Sequence, residues 1–295
     1  MPGRRFEWTT SSAEAKQRLF EVQQRIESFL SGPDTVAVAQ KIVAADPEFA
    51  MGVYYLSAVT PPPENEAHLE NAVALSRKAS DGERRFIDAM VVARANQGAD
   101  FQKAVPALEQ LAADYPGERL VQVILGQIYQ GTDADKARAA FRRADEIGPP
   151  SPRVRAFLAN EDLVGGDYEK ARRTFLDVEK SLPKGSAPFA VRYGLAFSYL
   201  YEGQVDPAIS ALDTYRAEYK DSGAAQGFPE VFIWNSIARI NLENGRLDAA
   251  MKAYEKGCES VPGSSLPGMQ YVPAWHYLAG YLKLEVATTT RPSWS

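Results

Sequence analysis

Trp234-Asn235-Ser236-Ile237-Ala238 opens the stretch that decides the fold; Gly245, Leu247-Asp248-Ala249-Ala250, Tyr254, Gly257 and Pro262 complete it. Steps of three and four residues put Trp234, Ile237 and Ala238 on one helical face, and Ala250, Tyr254 and Gly257 on another. An alanine on such a face lets a neighbouring helix approach closely, and a bulky residue four positions on fills the space beside it. Glycine suits the left-handed conformation that ends a helix, and proline cannot continue one. The stretch reads as helix, short turn, antiparallel helix.

The same grammar recurs upstream. Ala171 is followed by Phe175, Val178 and Pro183; Ala137 by Phe141, Ala144 and Pro149; Ala104 by Leu108, Leu111 and Pro116. Ala208 with Leu212 and Tyr215 obeys it except that Lys220 replaces the proline, and Ala72 with Ser76 and Ala79 is a weaker copy. From Ala72 to Ala250 these alanines stand 32, 33, 34, 37 and 42 residues apart. Gly166, Gly203 and Gly245 precede their alanines by five residues, and Gly98 and Gly131 by six. Before the glycines come Leu125-Gly126, Leu158-Ala159, Leu195-Ala196 and Ile237-Ala238, so each unit is a helix pair.

This grammar resembles the tetratricopeptide repeat, W-x2-L-G-x2-Y followed by alanine, an aromatic, alanine and proline. The resemblance covers roughly residues 13–285 and is strongest from Phe86 onward. It departs at Asn241, where the family usually has tyrosine. It implies an all-α, right-handed α-solenoid of antiparallel helix pairs. Seven pairs are expected, then a lone helix near Tyr271 to Leu284. In the first pair, Ser11-Ser12-Ala13-Glu14 offers a capping box, Leu19, Val22, Ile26 and Phe29 make one apolar stripe, and Asp34 can cap the second helix. The domain reading is a disordered leader at 1–10, degenerate helical repeats at 11–81 and clearer repeats at 82–263. A linker and the first helix of an incomplete repeat follow at 264–285, then a disordered tail at 286–295.

That tail does not continue the repeat begun by Trp275, Leu278, Ala279 and Leu282. Back-translated with chosen wobble bases and read from the third base, it gives Gly-Gly-Asp-Tyr-Asp-Ala-Ala, an in-phase turn and second helix; the fixed bases alone require the three threonines to become His, Asp, Asn or Tyr. A frameshifted tail and a natural disordered one both remain open; an unpaired last helix would offer a surface for self-association.

Composition excludes several function classes. Among 295 residues, 33 Lys plus Arg stand against 38 Asp plus Glu, a net charge of −5, which argues against a phosphate-binding basic face and hence against a nucleic-acid partner. No apolar run approaches the roughly 18 residues of a membrane span. Arg4-Arg5-Phe6 is followed by no apolar export core. Cytoplasm is the default compartment, with periplasm open if a signal peptide is missing from this chain. One cysteine, Cys258, rules out an intrachain disulfide and a multi-thiolate metal site. No phosphate-cradling loop, zinc-protease motif or nucleophile elbow is present. Glu64, Glu66 and His68 read as charges favouring a helix N-terminus rather than a metal site. The expectation is no enzyme, no cofactor and no metal.

By resemblance, the first helix of each pair lines the concave face, the usual recognition surface of a solenoid. Helical spacing then selects Phe157, Asn160, Tyr193, Phe197, Tyr201, Asn235, Arg239 and His276 as partner-binding candidates. Phe157 and Phe197 read equally well as core between repeats. Some family members clamp a peptide's terminal carboxylate with lysine, asparagine and arginine; here Ala156 and Gly194 replace two such residues, against that mode. The linkers Tyr219–Pro229 and Pro262–Gln270 explain the two longest spacings. The functional expectation is a non-catalytic scaffold binding a peptide or protein surface in its groove; the alternative is a structural subunit of a larger assembly or homo-oligomer.

Overall fold

The computed structural model describes residues 3–30, 32–95, 101–130, 132–148, 151–221 and 230–260. Among them are fourteen α-helices and no strand. The chain divides into two compact units, Met1–Glu161 and Asp162–Ser295, the division falling inside the ninth helix.

Unit 1 holds α1 (Ala13–Glu27), α2 (Pro33–Ala45), α3 (Ala50–Val59), α4 (Glu64–Ser76), α5 (Asp81–Arg94), α6 (Val105–Asp114), α7 (Arg119–Tyr129), α8 (Ala134–Ile147) and most of α9 (Pro152–Val164). Its alanine column is sealed: Ala72, Ala104 and Ala137 are at most 1% exposed, and Leu108, Leu111, Phe141 and Ala144 beside them are fully buried. Burying each of the larger side chains contributes about 1.5–3 kcal/mol, and this apolar contact is what holds neighbouring helices together. Where space is tightest the sequence removes the side chain altogether. A Cβ on Gly126 of α7 would lie 2.4 Å from the Phe141 ring of α8.

Unit 2 holds α10 (Tyr168–Ser181), α11 (Phe189–Leu200), α12 (Val205–Asp221), α13 (Glu230–Glu243) and α14 (Leu247–Glu259). Ala171, Ala208 and Ala250 are fully buried, with Phe175, Leu212 and Tyr254 packed beside them. Gly166, Gly203 and Gly245 take φ of +90°, +77° and +72°, the left-handed conformation expected of them at the turns. Arg192 of α11 is buried and bridges Glu179 of α10, at 2.7 Å, to Glu218 of α12. At the repeat's departure from the family pattern, the buried Asn241 amide donates to the Ile237 carbonyl one turn back, at 2.9 Å.

Two expectations are corrected. Residues 3–10 are not a disordered leader: Phe6 and Thr10 are buried, and the Gly117 amide donates to the Arg4 carbonyl at 2.9 Å. Phe6 and Tyr54 both pack on Phe86, across the boundary between the degenerate and the clearer repeats. Asp34 lies inside the first turn of α2 rather than capping it; Gly32 is the cap residue and Pro33 takes the first helical position, where its missing N–H costs nothing. Ser12 does cap α1, accepting from the Ala15 amide, and Glu64 and Glu66 do lie in the first turn of α4. The lone helix expected near Tyr271, the linkers at 222–229 and 262–270, and the tail lie outside the described residues.

Candidate functional site

The face is built by register. Ser57, Ala93, Gly126 and Ala159 in unit 1, and Ala196 and Ala238 in unit 2, hold the same repeat position on the first helices, each small and buried. The residue after each is Ala58, Arg94, Gln127, Asn160, Phe197 and Arg239; the residue three before is Tyr54, Met90, Val123, Ala156, Tyr193 and Asn235. These two columns flank the buried stripe, so one helical turn carries each side chain towards the same edge of its helix.

In unit 2 the columns produce an aromatic ladder along α11. Ring centroids of Phe189 and Tyr193 lie 4.4 Å apart, Tyr193 and Phe197 stack at 4.6 Å, and Phe197 meets Tyr201 edge-on at 5.6 Å. Tyr168 of α10 adds a further contact to Tyr201 at 5.6 Å. Four-residue spacing on a helix brings these rings into line. Exposure rises along the ladder, from half-buried Tyr193 and Phe197 to Tyr201, whose surface is 52% exposed. The Ser236 hydroxyl donates to the Phe232 carbonyl at 2.9 Å, so the Tyr193 hydroxyl, 2.5 Å from it, is the donor of that second bond. The phenol is thereby held against α13.

Asn235 is half-buried on α13, one turn before Arg239. The Arg239 side chain is 72% exposed and donates to Glu243 at 2.7 Å. The hydrogen bond to that carboxylate holds the guanidinium's pKa above its ordinary value. Arg239 is thus a paired surface cation rather than a bare one, and such pairs are readily exchanged for another carboxylate.

In unit 1, Phe157 stacks on the buried Phe141 ring at 4.6 Å and 24°, which is the packing role. Asn160 is exposed on α9. His276 lies outside the described residues. The structure aligns Tyr193, Phe197 and Tyr201 in one ladder and places Asn235 and Arg239 on α13, the two linked by the Tyr193–Ser236 hydrogen bond, and it separately places Phe157 and Asn160 on unit 1.

Sequence reasoning missed a cleft on unit 1. It has a volume of about 510 Å³ and is lined by Tyr54 and Ala58 of α3, Met90 and Arg94 of α5, Ile124, Gln127 and Ile128 of α7, and Phe101. Arg94 donates to the Ser57 hydroxyl at 3.0 Å, and no carboxylate among the described residues pairs with it. Burial raises the Tyr54 phenol to about 12, with Arg94 pulling in the opposite direction, so the phenol stays protonated. The signal was available: the column that selects Asn160, Phe197 and Arg239, read upstream, arrives at Gln127, Arg94 and Ala58. Among the described residues no three His, Cys, Asp or Glu side chains are placed to hold a metal ion, and no helix is long and apolar enough to cross a membrane.

The tetratricopeptide repeat family model matches residues 89–152 and 193–265, one stretch in each unit. These two stretches carry tetratricopeptide repeats. The chain's solved structural relatives are helical-repeat proteins of diverse roles. A chain of the APC/C hetero-tetramer Cut9-Hcn1 aligns with a TM-score of 0.59 at 14% identity, over 91% of this chain and 48% of that one. This chain thus spans about half the length of that relative. The Rap protein complexed with Competence and Sporulation Factor aligns with a TM-score of 0.57 at 15% identity, over 84% of this chain and 77% of that one. PilW, a type IV pilus biogenesis factor, aligns with a TM-score of 0.50 at 19% identity, over 69% and 92%. At these identities the likeness establishes the fold alone. No curated protein matches the sequence.

Proposed function

We propose that this protein is a non-catalytic interaction scaffold that binds a peptide segment or protein surface on the face formed by its first helices. The observation that carries the reading is the shared register: in each unit, the residue that follows each small buried residue of the first helices is left partly or fully open. On unit 1 they line a cleft with Arg94, and on unit 2 they form a ladder ending in an exposed tyrosine. Tyrosine offers large apolar contact with a polar tip at low entropic cost, which is why it concentrates at recognition surfaces. Tetratricopeptide-repeat proteins commonly mediate protein–protein interaction, and the Rap relative is itself complexed with a factor.

The unit 2 site consists of Tyr193, Phe197, Tyr201, Asn235 and Arg239, with Tyr201 as apolar anchor and Arg239 as a cation that trades Glu243 for an acidic group of the partner. Combined Tyr201→Ala, Asn235→Ala and Arg239→Ala substitutions should weaken partner capture at least tenfold while leaving the melting temperature within about 2 °C. The Arg239 share of that loss should shrink with added salt. Unchanged capture by the triple variant would move the site off this face. A native complex that is stable without these residues would instead favour the structural-subunit reading.

A further inference from the structure

Residues 3–10 cross three successive turns of unit 1, and each turn offers a carboxylate. Asp46 follows α2, Glu83 sits in the first turn of α5, and Glu118 caps α7. The Thr10 hydroxyl donates to Asp46. The Thr9 amide donates to Glu83 Oε1 at 2.9 Å and its hydroxyl to Oε2 at 2.5 Å. The Phe6 amide donates to Glu118 Oε2 at 3.2 Å. From Phe6 to Thr9 is three residues, about 10 Å of extended chain, which matches the spacing of about 8–10 Å between packed helices. Glu83 and Glu118 thus read main-chain N–H groups at the pitch of the repeat.

Side-chain seats accompany them. Phe6 meets the Tyr115 ring edge-on at 5.0 Å and the Phe86 ring at 6.2 Å, while Trp8 meets Phe49 at 6.2 Å. The Phe6 seat exists because Gly82 has no side chain, since a Cβ there would lie 2.4 Å from the Phe6 ring. Glu83 is fully buried and Glu118 is 8% exposed, although among the described residues neither forms an ion pair, Arg5 acting on Glu118 only from a distance. A buried carboxylate without a cation is costly, and here its partners are N–H and O–H groups of the crossing segment.

We propose that this trough is a peptide-binding site for an extended segment of the pattern Phe-x-Trp-Thr, and that residues 3–10 are its resident intramolecular ligand. Main-chain N–H groups seat on Glu118 and Glu83, and the two aromatic side chains supply selectivity. A partner segment of the same pattern therefore binds by displacing residues 3–10. Only Ser11 and Ser12 separate the segment from α1, so the resident ligand is held at an effective concentration on the order of millimolar. The seat is distinct from the first-helix face and does not depend on the function proposed for it.

The test uses a fluorescent peptide covering residues 3–11, GRRFEWTTS, followed by anisotropy against the full chain. In the Phe6→Ala/Trp8→Ala variant the resident segment is weakened and the seat untouched. This variant should bind the peptide at least tenfold more tightly than the unaltered protein does. Thr9→Pro, which removes one seated N–H and the hydroxyl, provides a gentler opening should the double variant fail to fold. Adding Gly82→Ala to either variant should abolish the gain by filling the Phe6 seat. No peptide binding by opened variants that keep their helical circular dichroism would overturn the proposal, as would equal binding by opened and unaltered protein.

Discussion

Replacing Gly126 by alanine sets two physical effects against each other. In the interior of α7, alanine is favoured over glycine by about 0.8–1 kcal/mol of helix propensity. The new Cβ, however, would stand 2.4, 2.6 and 2.7 Å from three atoms of the Phe141 ring. Ordinary carbon contacts are about 3.5–4.0 Å, so the ring must retreat by about 1 Å. Phe141 is fully buried and already stacked on Phe157 at 4.6 Å, which leaves it little room to do so. Overpacking of this kind costs about 1–3 kcal/mol, towards the upper end where the neighbour is boxed in. The variant should therefore be about 1–2 kcal/mol less stable than the parent, measured by urea denaturation followed by circular dichroism. Combining it with Phe141→Leu should give less destabilisation than the two single changes summed, because the smaller side chain makes the room. A Gly126→Ala protein more stable than its parent by about 1 kcal/mol would refute the argument that close helix approach, rather than chain flexibility, dictates this glycine.

Three further outcomes follow from the packing and the charges. Ala208→Leu, in the fully buried column of α12, should cost about 1–3 kcal/mol in the same assay; a neutral result would mean the helix interface has slack. Arg192→Leu should cost about 2 kcal/mol, less than a fully buried pair would, because Glu179 and Glu218 remain 27% and 30% exposed; Arg192→Lys should cost less. Burial raises the pKa of Glu83, opposed by its bonds from Thr9 and Ser80, so the folded state holds that proton to higher pH than the unfolded chain. Stability from this group falls as pH rises from the ordinary carboxylate value through the raised folded one. The melting temperature of Glu83→Gln relative to the parent should accordingly climb between pH 4 and pH 7, and a flat difference would contradict the burial argument.

What could be read from the sequence was what repeats. The alanine column, the bulky residues four positions on and the turn glycines recur at nearly constant intervals, and each recurrence corroborates the others. The structure finds the alanines sealed and Gly166, Gly203 and Gly245 in the left-handed conformation. Residues 3–10 follow no period, and their long-range partners lie 36 to 142 residues away, so a local reading assigns them to disorder. Arg94 escaped for a different reason: the early pairs lack the Trp and Tyr landmarks that fix the register, although Ala93 keeps the small column. Phe157 illustrates the limit of helical spacing, which places a side chain on an edge without deciding whether a neighbouring ring such as Phe141 will cover it. Arg239 was chosen as a cation, yet Glu243 one turn on was already in the sequence to neutralise it.

The most direct test of the scaffold reading is site-specific photocrosslinking in the native host. A benzophenone side chain is placed at Tyr201 on the first-helix face, and in parallel at Glu169 on the exposed side of α10, where the side chain is 67% exposed. The account predicts a discrete protein adduct from position 201 that disappears when Asn235→Ala and Arg239→Ala are added, and no matching adduct from position 169. An adduct from position 169 of equal yield, or one from position 201 indifferent to those substitutions, would contradict it.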